Sequence, residues 1–141
     1  MSTGTVELDW VREEMFVGID RYGNPLVVGS TPSQEPQFRG VKASDLLLIS
    51  LISCSAYDVV VILQKQKQNL TSLRIFADGE QDDDPPYRFR KIHLRYQLVG
   101  DNLNEGFVAR AIELSEEKYC SVYATLRDVV GITSEYEIQL I

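Results

Sequence analysis

A chain of 141 residues, 44% of them hydrophobic and 25% charged, has the apolar content for one buried core and too little length for two, so residues 1–141 read as a single globular domain. A formal charge of -7 opposes phosphate backbones and argues against a general nucleic-acid binder. The longest nearly apolar runs, Leu46 to Ile52 and Val59 to Leu63, fall far short of the roughly 20 residues a bilayer span needs, so no membrane helix is expected.

The first residues, Met1 to Val6, lack the basic start and apolar stretch of a secretory signal, which points to the cytoplasm. In that reducing compartment the chain's two cysteines, Cys54 and Cys120, are expected to be free or chemically active rather than a structural staple.

In chain order, the sequence opens with a β-meander. Thr5 to Trp10, Met15 to Asp20 and Leu26 to Val28 read as strands, with a turn at Tyr22-Gly23-Asn24-Pro25. Gly29 to Gly40, with Pro32 and Pro36, reads as a loop that completes an N-terminal segment over residues 1–40. A long helix follows, with Ser44 as its N-cap and Asp45 in its first turn, and it runs to about Gln68. Its first two-thirds is apolar nearly all round, which predicts burial on most faces.

Leu70 to Ala77 and Phe89 to Val99 alternate apolar and polar residues and predict a hairpin. Asp78-Gly79 and the acidic Asp82 to Pro86 run supply its turn chemistry. Arg88, Arg90, Lys91 and Arg95 alternate with apolar residues and read as the solvated side of the second strand. Leu103, Phe107, Ala111 and Leu114 have helical spacing, and Ser115 with Glu116 and Glu117 opens a further helix to about Val130 that carries Cys120 in its first turns. Gly131 stops that helix, and Ile132 to Ile141 alternate as a closing strand. The order β-β-β-α-β-β-α-α-β makes an α+β domain, with residues 41–141 as its helix-hairpin-helix-strand core.

Chemistry centres on the cysteines by elimination. No phosphate-binding glycine loop, dinucleotide fingerprint or hydrolase elbow is present, and no cofactor is implied. The single histidine, His93, falls on an alternating strand, and with two distant cysteines it gives no metal-ligand spacing. Cys54 lies mid-helix between Ser53 and Ser55, whose hydroxyls can donate to a thiolate, while burial would oppose ionisation. The partial positive charge of a helix N-terminus would favour the thiolate of Cys120. The cysteines stand 66 residues apart, a separation that leaves their distance in space open.

Two segments carry a resemblance. The run Leu46 to Val60, with Cys54-Ser55 ahead of Tyr57-Asp58-Val59-Val60, and the run Ala111 to Val122, containing Glu117-Lys118-Tyr119-Cys120-Ser121, together resemble the OsmC/Ohr family. That family comprises osmotically inducible protein C and the organic hydroperoxide resistance proteins, and the likeness lies with a short OsmC-like branch. It implies an intertwined homodimer, with central helices packed together and active sites at the subunit interface.

The resemblance also implies thiol peroxidase chemistry on small organic peroxides. Cys54 would become a sulfenic acid, Cys120 would resolve it as a disulfide, and an external dithiol would reset the pair. In the family an arginine from the N-terminal region stabilises the thiolate, and here both Arg21, in the Asp20 to Gly23 turn, and Arg39, before the helix, stand as candidates. The carboxylate that the peroxidases place ten positions ahead of the cysteine is Ser44 here. Asp45, the nearest, is one residue later and turned by about 100°. A second reading is a homodimer that binds a small hydrophobic ligand without turnover.

Overall fold

Four short apolar segments near the N-terminus pair into one sheet, and the long alternating segments after the central helix pair into another. They are seen in a computed structural model that describes residues 1–29 and 40–140. Arg39 and the predicted loop between Gly29 and Gly40 fall largely outside the described residues. The chain gathers into two compact units, Met1–Leu47 and Leu48–Ile141.

In the first unit, strands β1 (Glu7–Arg12), β2 (Met15–Ile19), β3 (Pro25–Gly29) and β4 (Val41–Lys42) form a four-stranded sheet in that order. The first three pair antiparallel, as the meander predicts. The two-residue β4, absent from the sequence reading, pairs parallel with β3. The β2–β3 turn is built by Asp20, whose Oδ1 accepts from the amides of Tyr22 at 2.8 Å and Asn24 at 2.9 Å. Gly23 sits there at φ 89°, a conformation that excludes most side chains. A further hydrogen bond from the Asn24 side chain to Asp20 Oδ2 at 2.9 Å, ahead of those amides, holds the Asp20 carboxyl below its ordinary range.

The central helix α1 spans Ala43–Lys65, so Ser44 lies inside it and not at its cap, and the helix stops three residues short of the expected Gln68. Lys67 and its neighbours turn away instead, with Lys67 at φ 57°. Only Leu51, Ser55, Val59 and Leu63 are fully buried, one stripe at four-residue spacing. Burial on most faces is therefore not what this chain achieves: Ile49 and Tyr57 stay exposed. The serines that interrupt the apolar runs do not interrupt the helix, and α1 is by length and composition apolar enough to cross a membrane, contrary to the expectation from the runs. Its buried stripe joins the core of the second unit.

That unit holds β5 (Asn69–Gln81), β6 (Phe89–Asp101) and β7 (Gly131–Leu140), with β6 central. β5 and β6 pair antiparallel along nearly their whole length, so Asp78 and Gly79 lie within the ladder opposite His93 and Ile92 and form no turn. Alternate residues of β6, Ile92, Leu94, Tyr96 and Leu98, are buried against α1 residues Leu51, Val59 and Leu63. The other face carries Arg95, paired with Asp78 at 2.7 Å, and His93, whose Nδ1 lies 2.6 Å from Thr133 Oγ1. In the acidic loop, Asp82 is paired with Arg90 at 2.8 Å.

β6 and β7 pair parallel, which requires a crossover. It is made by α2 (Glu105–Leu114), a single π-helical turn (Ser115–Tyr119) and α3 (Ser121–Leu126). Asn104 caps α2 by accepting from the Phe107 amide at 3.1 Å. Where β6 ends, a β carbon on Gly100 would lie 2.4 Å from the Asn69 carbonyl and 2.7 Å from Leu103, so only glycine permits this approach. The sequence reading placed Cys120 within the first turns of a helix reaching Val130. Instead Cys120 is the N-cap of a six-residue helix that ends at Leu126.

Candidate functional site

Residues four apart on a helix share a face, so Cys54 and Asp58 of α1 point the same way beside the buried stripe. The third member arrives from the crossover. The Cys120 amide bonds back to the Ser115 carbonyl at 2.8 Å, closing the π turn five residues behind. In a regular α-helix residues five apart diverge by about 140°. The wider turn instead stacks Ser115 and Cys120 so that both side chains reach α1. The Cys54 and Cys120 sulfurs and a carboxylate oxygen of Asp58 all lie within 4.8 Å of one another.

A line of hydroxyls backs this cluster. Ser115 Oγ donates to Asp58 Oδ2 at 2.9 Å and lies 3.3 Å from Ser55 Oγ. Ser55 in turn shares a hydrogen bond of 2.5 Å with the Tyr96 hydroxyl. Ser55, Ser115 and Tyr96 are all buried, so the chain satisfies polar groups that would otherwise be stranded in the core. Burial also pushes the Tyr96 phenol up, against the Ser55 hydrogen bond that lowers it.

The two sulfurs differ in setting. Cys54 is half-buried, whereas Cys120 is 2% exposed. Burial, and then a hydrogen bond with Cys54, push the Cys120 thiol up to about 12, while the Tyr123 amide donates to its sulfur at 3.4 Å and pulls the other way. Among the described residues, the interactions acting on Cys120 come from Cys54 and from the amides of Tyr123 and Val122. Glu116, on the π turn, has one buried carboxylate oxygen without a hydrogen-bond partner among the described residues. Burial raises its carboxyl above the ordinary range, opposed by a hydrogen bond with Ser134.

Of the residues singled out in the sequence, the structure brings Cys54 and Cys120 together. Arg21 and Asp45 belong to the other compact unit. Arg21 stands on the β2–β3 turn with its guanidinium against Gly4, and Asp45 stands in the first turn of α1. Arg39 lies outside the described residues. Sequence reasoning passed over Asp58, although its four-residue spacing from Cys54 was a usable signal. It also passed over Tyr96, a lone hydroxyl in the apolar series of β6, which called for a buried partner. Ser115 was marked only as the start of a helix, with no sign of its hydrogen bond to Asp58.

A family model described as OsmC-like protein matches residues 35–135. This chain belongs to the OsmC-like family. Among its relatives, Protein YhfA of Escherichia coli (strain K12) is 34% identical over 130 residues, covering 92% of this chain and 93% of that protein. A hypothetical protein from Aquifex aeolicus VF5 has a crystal structure that superposes with a TM-score of 0.87 at 29% identity, covering 100% of this chain and 99% of the other. The organic hydroperoxide resistance protein OhrB of Bacillus subtilis shares the OsmC-like fold at a TM-score of 0.64 and 12% identity, over 96% of this chain and 98% of that one.

Proposed function

We propose that this OsmC-like protein is a thiol-dependent peroxidase that reduces organic hydroperoxides in the cytoplasm. The observation that carries the reading is the approach of two cysteines 66 residues apart in sequence to within 4.8 Å, next to a carboxylate. The half-buried Cys54 is the sulfur a peroxide can reach, and the buried Cys120, held as a thiol, is the resolving partner.

The steps balance with groups on hand. Cys54 passes its proton to Asp58, and its sulfur attacks the distal peroxide oxygen. The S–O bond forms, the O–O bond breaks, and the leaving alkoxide departs as alcohol with that proton. The Cys120 sulfur then attacks the sulfenic acid, forming a disulfide and releasing water, and an external dithiol reduces the disulfide while becoming oxidised itself. Closing the sulfurs from within 4.8 Å to a bond of about 2.05 Å requires the two side chains to approach further. An arginine of the N-terminal segment, Arg21 or Arg39, supplies the positive charge for the alkoxide, and comparison of Arg21→Ala with Arg39→Ala identifies it.

A homodimer forms part of the same reading. Val6, Leu8 and Trp10 of the first sheet and Ile49 and Tyr57 of α1 are apolar residues left exposed by a single chain. An apolar hollow lined by Val6, Leu8, Leu26, Val28 and Leu46 supports the second reading, a site for a small hydrophobic ligand.

Turnover of an alkyl hydroperoxide with a dithiol reductant tests the proposal. Cys54→Ser abolishes it, and Cys120→Ser leaves a single burst of one equivalent per chain. Full turnover in Cys54→Ser overturns the peroxidase reading, and inert thiols with a co-purified apolar ligand favour the second.

A further inference from the structure

The spacing that ruled out a metal in the sequence closes up in space. Two sulfurs and a carboxylate oxygen converge within 4.8 Å, from Cys54 and Asp58 on one helix and Cys120 on the crossover. We propose that the reduced Cys54–Asp58–Cys120 cluster binds one thiophilic divalent cation of zinc-like chemistry, with solvent in the fourth position.

The donor set decides the class of ion. Two sulfurs with one oxygen match zinc and its soft congeners, and mismatch magnesium or calcium, which take oxygen ligands. Tetrahedral coordination at a Zn–S distance of about 2.3 Å sets the two sulfurs roughly 3.8 Å apart. From separations within 4.8 Å the cluster therefore contracts by about an ångström, a change of side-chain torsion with α1 left in place. Three protein ligands plus one open position is the pattern of a site that keeps an exchangeable partner.

The surroundings are built as a second layer of ligands would be. Ser115 donates to Asp58 Oδ2 and fixes the carboxylate, whose remaining lone pairs stay available. The Tyr123 amide donates to the Cys120 sulfur, and Ser55 and Tyr96 carry the hydroxyl line into the core. Binding forms two metal–sulfur bonds and one metal–oxygen bond and releases the thiol protons, without oxidation of any group. Two thiolates and one carboxylate leave a dication with a single net negative charge.

The inference goes beyond the peroxidase reading and is tested without peroxide. Purified reduced protein is titrated with cobalt(II), then zinc(II), against a competing chelator. The expected result is one ion per chain, a thiolate-to-cobalt charge-transfer band, and release of protons. Cys54→Ser and Cys120→Ser each weaken binding by about a hundredfold or more, equal to about 2.7 kcal/mol. Asp58→Asn weakens it at least about tenfold. Ser115→Ala, which removes only the carboxylate's support, weakens it about 10- to 100-fold.

Where a variant fails to fold, the unaltered protein still decides. Saturating zinc protects both thiols of the reduced protein from a maleimide, and removing the zinc with a chelator restores their labelling. Binding that survives in the double cysteine variant, thiols that zinc leaves unprotected, or affinity weaker than about 10 μM at neutral pH overturns the site. Loss of turnover with metal binding intact overturns only the peroxidase reading.

Discussion

Ser115 Oγ donates a 2.9 Å hydrogen bond to Asp58 Oδ2 across 57 residues of chain, tying the crossover to the central helix beside the two cysteines. The bond orients the carboxylate, and it also anchors the turn that carries Cys120. Ser115 is wholly buried, so losing its hydroxyl affects both roles.

Ser115→Ala is therefore expected to lower folding stability by about 1.5 kcal/mol, the scale of a hydrogen bond to a charged group. Urea denaturation followed by circular dichroism measures it. Tyr96→Phe should cost less, about 1 kcal/mol, because Ser55 keeps Ser115 as a neighbour.

Asp58→Asn keeps the size of the side chain and removes the carboxylate that lies within 4.8 Å of the Cys54 sulfur. Oxidation of Cys54 by an alkyl hydroperoxide, followed by stopped-flow fluorescence, should slow by about a hundredfold, the lower end of what positioned proton transfer contributes. An unchanged rate assigns Asp58 no part in the chemistry.

Thiol labelling should be ordered. A maleimide reaches the half-buried Cys54 first, and Cys120, 2% exposed and held as a thiol, reacts at neutral pH only after local opening. Mass spectrometry of peptides from a time course reads the order directly, and simultaneous labelling would contradict it.

Stability should fall as the solution becomes alkaline. The folded chain keeps the Cys120 proton up to about 12, against an ordinary value of 9.0, so between those limits the unfolded chain has shed a proton that the folded one retains. The contribution is fully present below the ordinary value and is lost as pH rises through the folded one. Urea midpoints of the reduced protein should decline above a pH of about 9, and Cys120→Ala should flatten that decline. The buried Tyr96 phenol acts in the same direction.

In solution, sedimentation should give twice the mass of one chain, and Trp10→Glu with Leu8→Glu should return it to one. Both side chains are exposed apolar groups on β1 that a partner would cover. A monomer before substitution would remove the homodimer from the proposal.

Much of the fold was legible because its signals are periodic. Alternation marked β6 and β7, and the helical spacing from Leu103 marked α2. The gaps have physical causes. Asp78-Gly79 looks like a turn by composition, yet the ladder continues through it because Arg95 pairs with Asp78 across the strands. The near-continuous apolar surface of α1 suggested burial on most faces, whereas a single chain covers only one stripe. At the site, the i,i+4 relation of Cys54 and Asp58 was available in the sequence, but the partnership with Ser115 was not. It depends on a turn closed five residues back, for which no propensity rule exists.

That turn has a genetic corollary. Removing one residue from Glu116–Tyr119 would let the backbone relax to ordinary helical winding, and Ser115 and Cys120, then four residues apart, would stay within about 40° of each other. Composition would barely change, and both sulfurs would survive in the sequence. A homologue shorter by that single codon would therefore still present its second cysteine to the central helix.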